Sequence, residues 1–62
     1  MNIWEQLENI KGKLNYTIQV LENGNLEAWE IKEFLNLEAY YKKQIAELEK
    51  AIVIYNETYL KG

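Results

Sequence analysis

Glu27, Glu30 and Glu33 recur at every third position, so neighbouring members share one side of a helix, and carboxylates gathered in that way can hold a divalent cation. The rest of the chain supplies little to go with them. It contains no Arg, Asp, His, Cys, Ser or Pro. Imidazole and thiolate ligands, disulfides, the di-iron Glu-x-x-His motif and every Ser, Cys or His nucleophile are thereby excluded. A solvated helix face and the preference of a helix start for negative charge account for the three glutamates, and no metal site is assigned. Catalysis would fall to Glu, Lys, Tyr or Thr. Glu and Lys act as acid or base when buried, but no spacing in the chain pairs them for that work. The sequence is therefore expected to be non-enzymatic and to need no cofactor.

The other conspicuous chemistry is aromatic: five Tyr and two Trp in 62 residues. Aromatic rings can stack on bases, but nucleic-acid binding also needs positive charge against phosphate, and Arg is the usual reader of guanine. Net charge is −3, Arg is absent, and the only basic clusters are Lys11 with Lys13 and Lys42 with Lys43. Those pairs solvate a face more readily than they bind a duplex, so no nucleic-acid partner is expected. The segment Asn25-Leu26-Glu27-Ala28-Trp29 is echoed by Asn36-Leu37-Glu38-Ala39-Tyr40. An offset of about three helical turns puts the two aromatics on nearly one face. Chance in a Leu/Glu/Asn-rich chain, or two helix starts, explains the echo without function. The functional alternative makes Trp29 and Tyr40 a pair of anchors for a protein partner.

These residues must be carried by helices. Ile3, Leu7, Ile10, Leu14, Thr17 and Leu21 step by four and three in turn, a heptad seam with one polar member. Trp4 and Ile18 flank it. Asn2 is placed to cap the first helix, with Glu5 at the capping-box position. Gly12 lies off the seam and costs about 1 kcal/mol relative to Ala. Asn23-Gly24-Asn25 is the one strong punctuation: Gly24 can end the first helix in the left-handed conformation and Asn25 can cap the next. So short a connection makes the two helices antiparallel neighbours. A strand hairpin at Asn-Gly is disfavoured because the flanking period is 3.5 rather than 2.

From Leu26 to Leu60 there is neither Pro nor Gly. The second seam runs Ile31, Phe34, Glu38, Tyr41, Ile45, Leu48, Ile52, Tyr55, Tyr59, with favourable pairs four apart at Glu38–Lys42 and Glu57–Lys61. A single long helix is preferred over a break near Asn36. A bend over Trp29 to Leu48, with Glu33 to Asn36 as its turn, would make a helix-turn-helix, but the small residue such a turn wants is missing. Ala51 to Tyr55 is apolar on every side of the helix, and a β-strand there is set aside because the heptad continues through it.

Trp29 and Tyr40 lie off that seam, and the sequence assigns them to a rear stripe continuing through Ala46, Val53, Ile54 and Leu60. A two-helix hairpin buries one face of each helix, so a second apolar face requires another cover. A chain this short, with no disulfide or His/Cys metal support open to it, gains most from association. Residues 1–62 are thus expected to form one all-α domain: an antiparallel helical hairpin joined near Asn23–Asn25, dimerising into a four-helix bundle. Ile52, Val53, Ile54 and Leu60 are the expected self-association residues. This architecture resembles that of small plasmid-encoded and regulatory hairpins, a likeness of fold that carries no function.

Met1 to Ile10 has no basic start and no apolar core, and Ala51 to Tyr55, the longest apolar run, is too short to span a bilayer. A cytoplasmic protein is expected. Seven Asn, seven Ile and Lys as the sole base fit an AT-rich coding sequence, hence a bacterial, phage or plasmid source. Two function classes remain. One is a small acidic module that binds and modulates another protein, as a phage- or plasmid-type regulator or inhibitor. The other is a structural or assembly subunit acting through self-association. A helix-turn-helix nucleic-acid regulator is third.

Overall fold

A computed structural model describes residues 2–60. Helix α1 spans Ile3–Asn23 and helix α2 spans Ala28–Tyr55, followed by a five-residue π-helical segment, Asn56–Leu60. Among the described residues only Asn2 and the 24–27 connection lie outside helices, and there is no strand. The all-α hairpin inferred from the heptads is the fold observed.

Local chemistry sets the ends of α1 where the sequence places them. The Asn2 side chain accepts a hydrogen bond from the Glu5 backbone N–H at 2.9 Å, and its amide donates to the Glu5 carboxylate at 3.3 Å. Gly24 closes the helix at φ 72°, a conformation that costs a side-chain-bearing residue roughly 1 to 2 kcal/mol. The start of α2 differs from expectation: Glu27, not Asn25, occupies the cap position. The Glu30 carboxylate accepts from the Glu27 backbone N–H at 2.9 Å. Two of the three regularly spaced glutamates are therefore occupied with starting a helix. The connection is longer by two residues than the punctuation suggested, because a Glu/Glu pair can replace Asn at the cap when the third helical residue reaches back.

Helix α2 runs unbroken through Glu33–Asn36, so the break near Asn36 and the turn of a helix-turn-helix are both absent. It also runs as α-helix through Ala51–Tyr55. At Asn56 the backbone N–H is shared between the carbonyls of Ile52 and Val53, and the ladder then widens into the π segment, where a regular α-helix to Leu60 was expected. Trp4 approaches Tyr55 and Lys11 approaches Glu49, so the residue order runs in opposite senses along the two helices and the packing is antiparallel. At 1.5 Å per residue α1 is about 31 Å long and α2 about 42 Å. The π segment projects past the first turn of α1, and α2 with this extension sets the long dimension of 52 Å.

Every residue of the first seam is buried or half-buried. Leu7 and Thr17 are the most enclosed, Thr17 with 3% of its surface exposed. The polar member of the seam is tolerated because its hydroxyl donates to the Lys13 carbonyl at 2.9 Å, one turn back. In the second seam, Phe34 through Ile52 are half-buried, while Ile31, Tyr55 and Tyr59 at the two ends are exposed. Glu38 is admitted to the seam by Lys42, whose Nζ lies 3.2 Å from the carboxylate. The companion pair, Glu57–Lys61, lies outside the described residues. No side chain among the described residues is completely buried.

Candidate functional site

Two observed contacts define the sides of the hairpin. On one side of the seam, Lys11 and Glu49 stand 3.9 Å apart. On the other, Gln6, Asn9, Ile10 and Lys13 of α1 and Gln44 and Leu48 of α2 line a shallow cavity of about 220 Å³. Residues seven apart share a helix face. Leu35 and Lys42 therefore belong to the Glu49 side, and Leu37 and Ala51 to the Gln44 side.

This frame divides the single rear stripe read from the sequence. Trp29 and Tyr40 are eleven residues apart, which is about 20° of rotation and about 16 Å of rise, so they do share a face. Ala46 is six residues beyond Tyr40, about 120° away by the same geometry. Val53 follows Ala46 by seven and lies with it on the Glu49 side. Ile54 falls back toward the Trp29 and Tyr40 side. Ile52 belongs to the seam and is half-buried, whereas Val53, Ile54 and Leu60 are exposed. The four residues expected to act together in self-association thus point in three directions around α2, or lie in the π segment beyond it. A continuous α-helix requires this, because consecutive residues diverge by about 100°.

Trp29 and Tyr40 stand out from the hairpin as the sequence suggested, 68% and 55% exposed. The Tyr40 ring is held by its neighbour Tyr41, centroids 5.7 Å apart at 62°. Since Tyr41 is a seam residue, Tyr40 is oriented by the hairpin core, a restraint that lowers the entropy lost on binding. Glu33 and Glu47 lie on the same flank, with Lys43 beside them, and Lys42 and Glu49 lie on the other, Lys32 and Lys50 standing between the two flanks, so that the aromatic side is net acidic by one charge and the aliphatic side carries both signs. Sequence reasoning missed a second aromatic group. Trp4, Tyr55 and Tyr59 form a chain at the open end, with centroid separations of 5.9 Å and 5.2 Å. The sequence already set Trp4 beside the first seam and Tyr55 and Tyr59 in the second; what it did not give is that the two ends come level, which depends on the length of the connection.

No helix among the described residues is long and apolar enough to cross a membrane. No protein-family model matches the chain, and the searches of curated proteins and of solved structures likewise return no match.

Proposed function

We propose that this chain is a non-catalytic, cytoplasmic protein-binding module that works as a dimer, two hairpins forming an antiparallel four-helix bundle, and modulates a partner protein as phage- or plasmid-type regulators and inhibitors do. The observation that carries the proposal is the placement of Trp29 and Tyr40 on one outer face of an unbroken α2, most of each side chain being in solvent. Trp and Tyr are the residue types that most often dominate interface energies. The dimer is supported by the hairpin's lack of any completely buried side chain among the described residues, a poor basis for a stable monomer at this length.

The test is affinity capture from the native host with the natural chain and with Trp29→Ala. A partner retained by the first and lost by the second supports the proposal. Equal capture by both sinks it. A structural subunit acting through self-association is the second reading, favoured by the aliphatic side of α2. It would leave Trp29→Ala without any binding defect.

A further inference from the structure

The two sides of α2 differ enough to assign each its own occupant. Resting on the dimeric reading above, we infer that a second copy of this chain covers the side carrying Leu35, Ala39, Ala46 and Val53, with α1 of each copy lying along α2 of the other, and that the Trp29 and Tyr40 side stays free for an unlike partner.

Area supplies the first argument. The chain exposes 4998 Å². A compact protein of 7.4 kDa exposes about 4,200 Å² by the usual scaling with mass, so about 800 Å² is in excess. The cause is elongation, 52 × 17 × 14 Å. Each partner in a standard-size interface buries about 800 Å². Docking a second hairpin lengthwise thus removes the surplus, and a second copy is the one occupant always present with the chain.

Side-chain character selects the face. Leu35 and Val53 are exposed aliphatics, with Ala39 and Ala46, also exposed, between them along the same side. Alanines let a neighbouring helix come close, and the aliphatic groups at either end fill the space beyond. The opposite side also exposes two aliphatics, Ile54 and Leu37, but it is dominated by the Tyr40 and Trp29 rings beside Glu33 and Glu47. Large amphipathic rings of that kind tolerate alternate exposure and coverage better than aliphatics do.

Charge selects the orientation. On the aliphatic side α1 carries Glu8 and Glu22 with Lys11 between them, and α2 carries Lys42 and Glu49, with Lys32 and Lys50 at its outer margin. Setting α1 along the other copy's α2 brings a strip with two acids and one base to a strip with three lysines and one acid, a net complementary pairing in which Lys11 can also meet Glu49. Setting α1 on α1 and α2 on α2 would oppose like charges, which disfavours that arrangement. With the two-fold axis parallel to the helices the copies sit level, so the register within one chain carries over between them and brings Glu22, though not Glu8, near a lysine. Lys11 lies level with Glu49 within one chain. Eleven residues further along α1 and eleven back along α2, Glu22 comes level with Glu38, which falls between Lys32 and Lys42.

Sedimentation equilibrium of the full chain at tens of micromolar tests the inference. A dimer is expected. Val53→Glu should weaken association at least tenfold, and Tyr40→Glu should leave it within about twofold. Glu22→Lys should weaken it severalfold, and adding Lys32→Glu to the same chain should recover most of that loss. If Val53→Glu unfolds the hairpin, the Glu22 and Lys32 pair decides, since loss of folding cannot produce a rescue. A monomer at these concentrations, a dimer broken by Tyr40→Glu but indifferent to Val53→Glu, or a failed rescue would overturn the inference. The measurement contains no other protein, so its failure is separate from failure of partner capture by Trp29.

Discussion

The indole of Trp4 and the ring of Tyr55 meet edge to face, centroids 5.9 Å apart at 86°, and so join the second residue of α1 to the last residue of α2. This contact closes the end of the hairpin opposite the connection. It stands where the α-helical ladder gives way to the π segment. Such aromatic pairs contribute about 0.5 to 1.5 kcal/mol beyond the area they bury. A double-mutant cycle with Trp4→Ala and Tyr55→Ala should return a coupling energy in that range by chemical denaturation. Additive effects of the two changes would show that the rings meet without stabilising the end.

Gly12 lies inside α1, and a Cβ built there meets nothing within 4 Å. Nothing in the structure requires glycine at this position. Gly12→Ala should therefore stabilise the protein by about 1 kcal/mol, seen as a higher denaturation midpoint. Gly24 behaves oppositely even though it too has open space, because its φ of 72° is the strained quantity. Gly24→Ala should cost about 1 kcal/mol.

Thr17 is among the most enclosed residues of the hairpin, and its hydroxyl donates within its own helix, to the Lys13 carbonyl. That carbonyl already faces the backbone ladder of α1, so removing the hydroxyl strands no partner. Thr17→Val should be neutral or stabilising by up to about 1 kcal/mol, in contrast to the loss usual when a buried polar group leaves its partner unpaired. Thr17→Ser, which deletes the methyl, should cost about 0.8 kcal/mol. A marked loss of stability in Thr17→Val would mean that the hydroxyl does more than satisfy itself.

What the sequence discloses and what it hides divide along the range of the interactions. The Asn2 cap, the Gly24 terminus, the first seam, the second from Phe34 to Ile52 and the Glu38–Lys42 pair depend on residues within four positions of each other, and each is found where spacing puts it. The cap at Glu27 was obscured because Asn25 is the better residue type, and the choice between them turns on whether Glu30 reaches back. The π segment has no Pro or Gly to announce it. Its register shift occurs beside the Trp4, Tyr55 and Tyr59 rings, of which Tyr59 lies in the segment, Tyr55 just before it and Trp4 on the other helix. The division of the rear stripe needed only the 100° advance per residue, but it acquires meaning from the positions of Lys11 and Lys13 across the seam, which are long-range facts.

Trp29 gives the most direct test of what the protein does. It lies in the first turn of α2 with 68% of its surface exposed, so removing it opens no cavity in the hairpin. In the dimer inferred above it also lies off the covered side. Trp29→Ala should therefore leave helicity, solution mass and melting temperature nearly unchanged, while lowering affinity for a captured partner by about 2 kcal/mol or more. Tyr40→Ala should act in the same direction with a smaller effect, since part of its ring packs on Tyr41. The alternative is that a second subunit encloses both rings. In that case Trp29→Ala would create a cavity and lower the melting temperature of the free protein by more than about ten degrees, because losing a packed aromatic costs about 3 to 5 kcal/mol and each kcal/mol is about 4 to 8 °C at this size. Thermal denaturation of the isolated protein separates these outcomes before any partner is in hand. Full retention of stability keeps Trp29 as an anchor for another protein, and a large loss assigns it to the bundle.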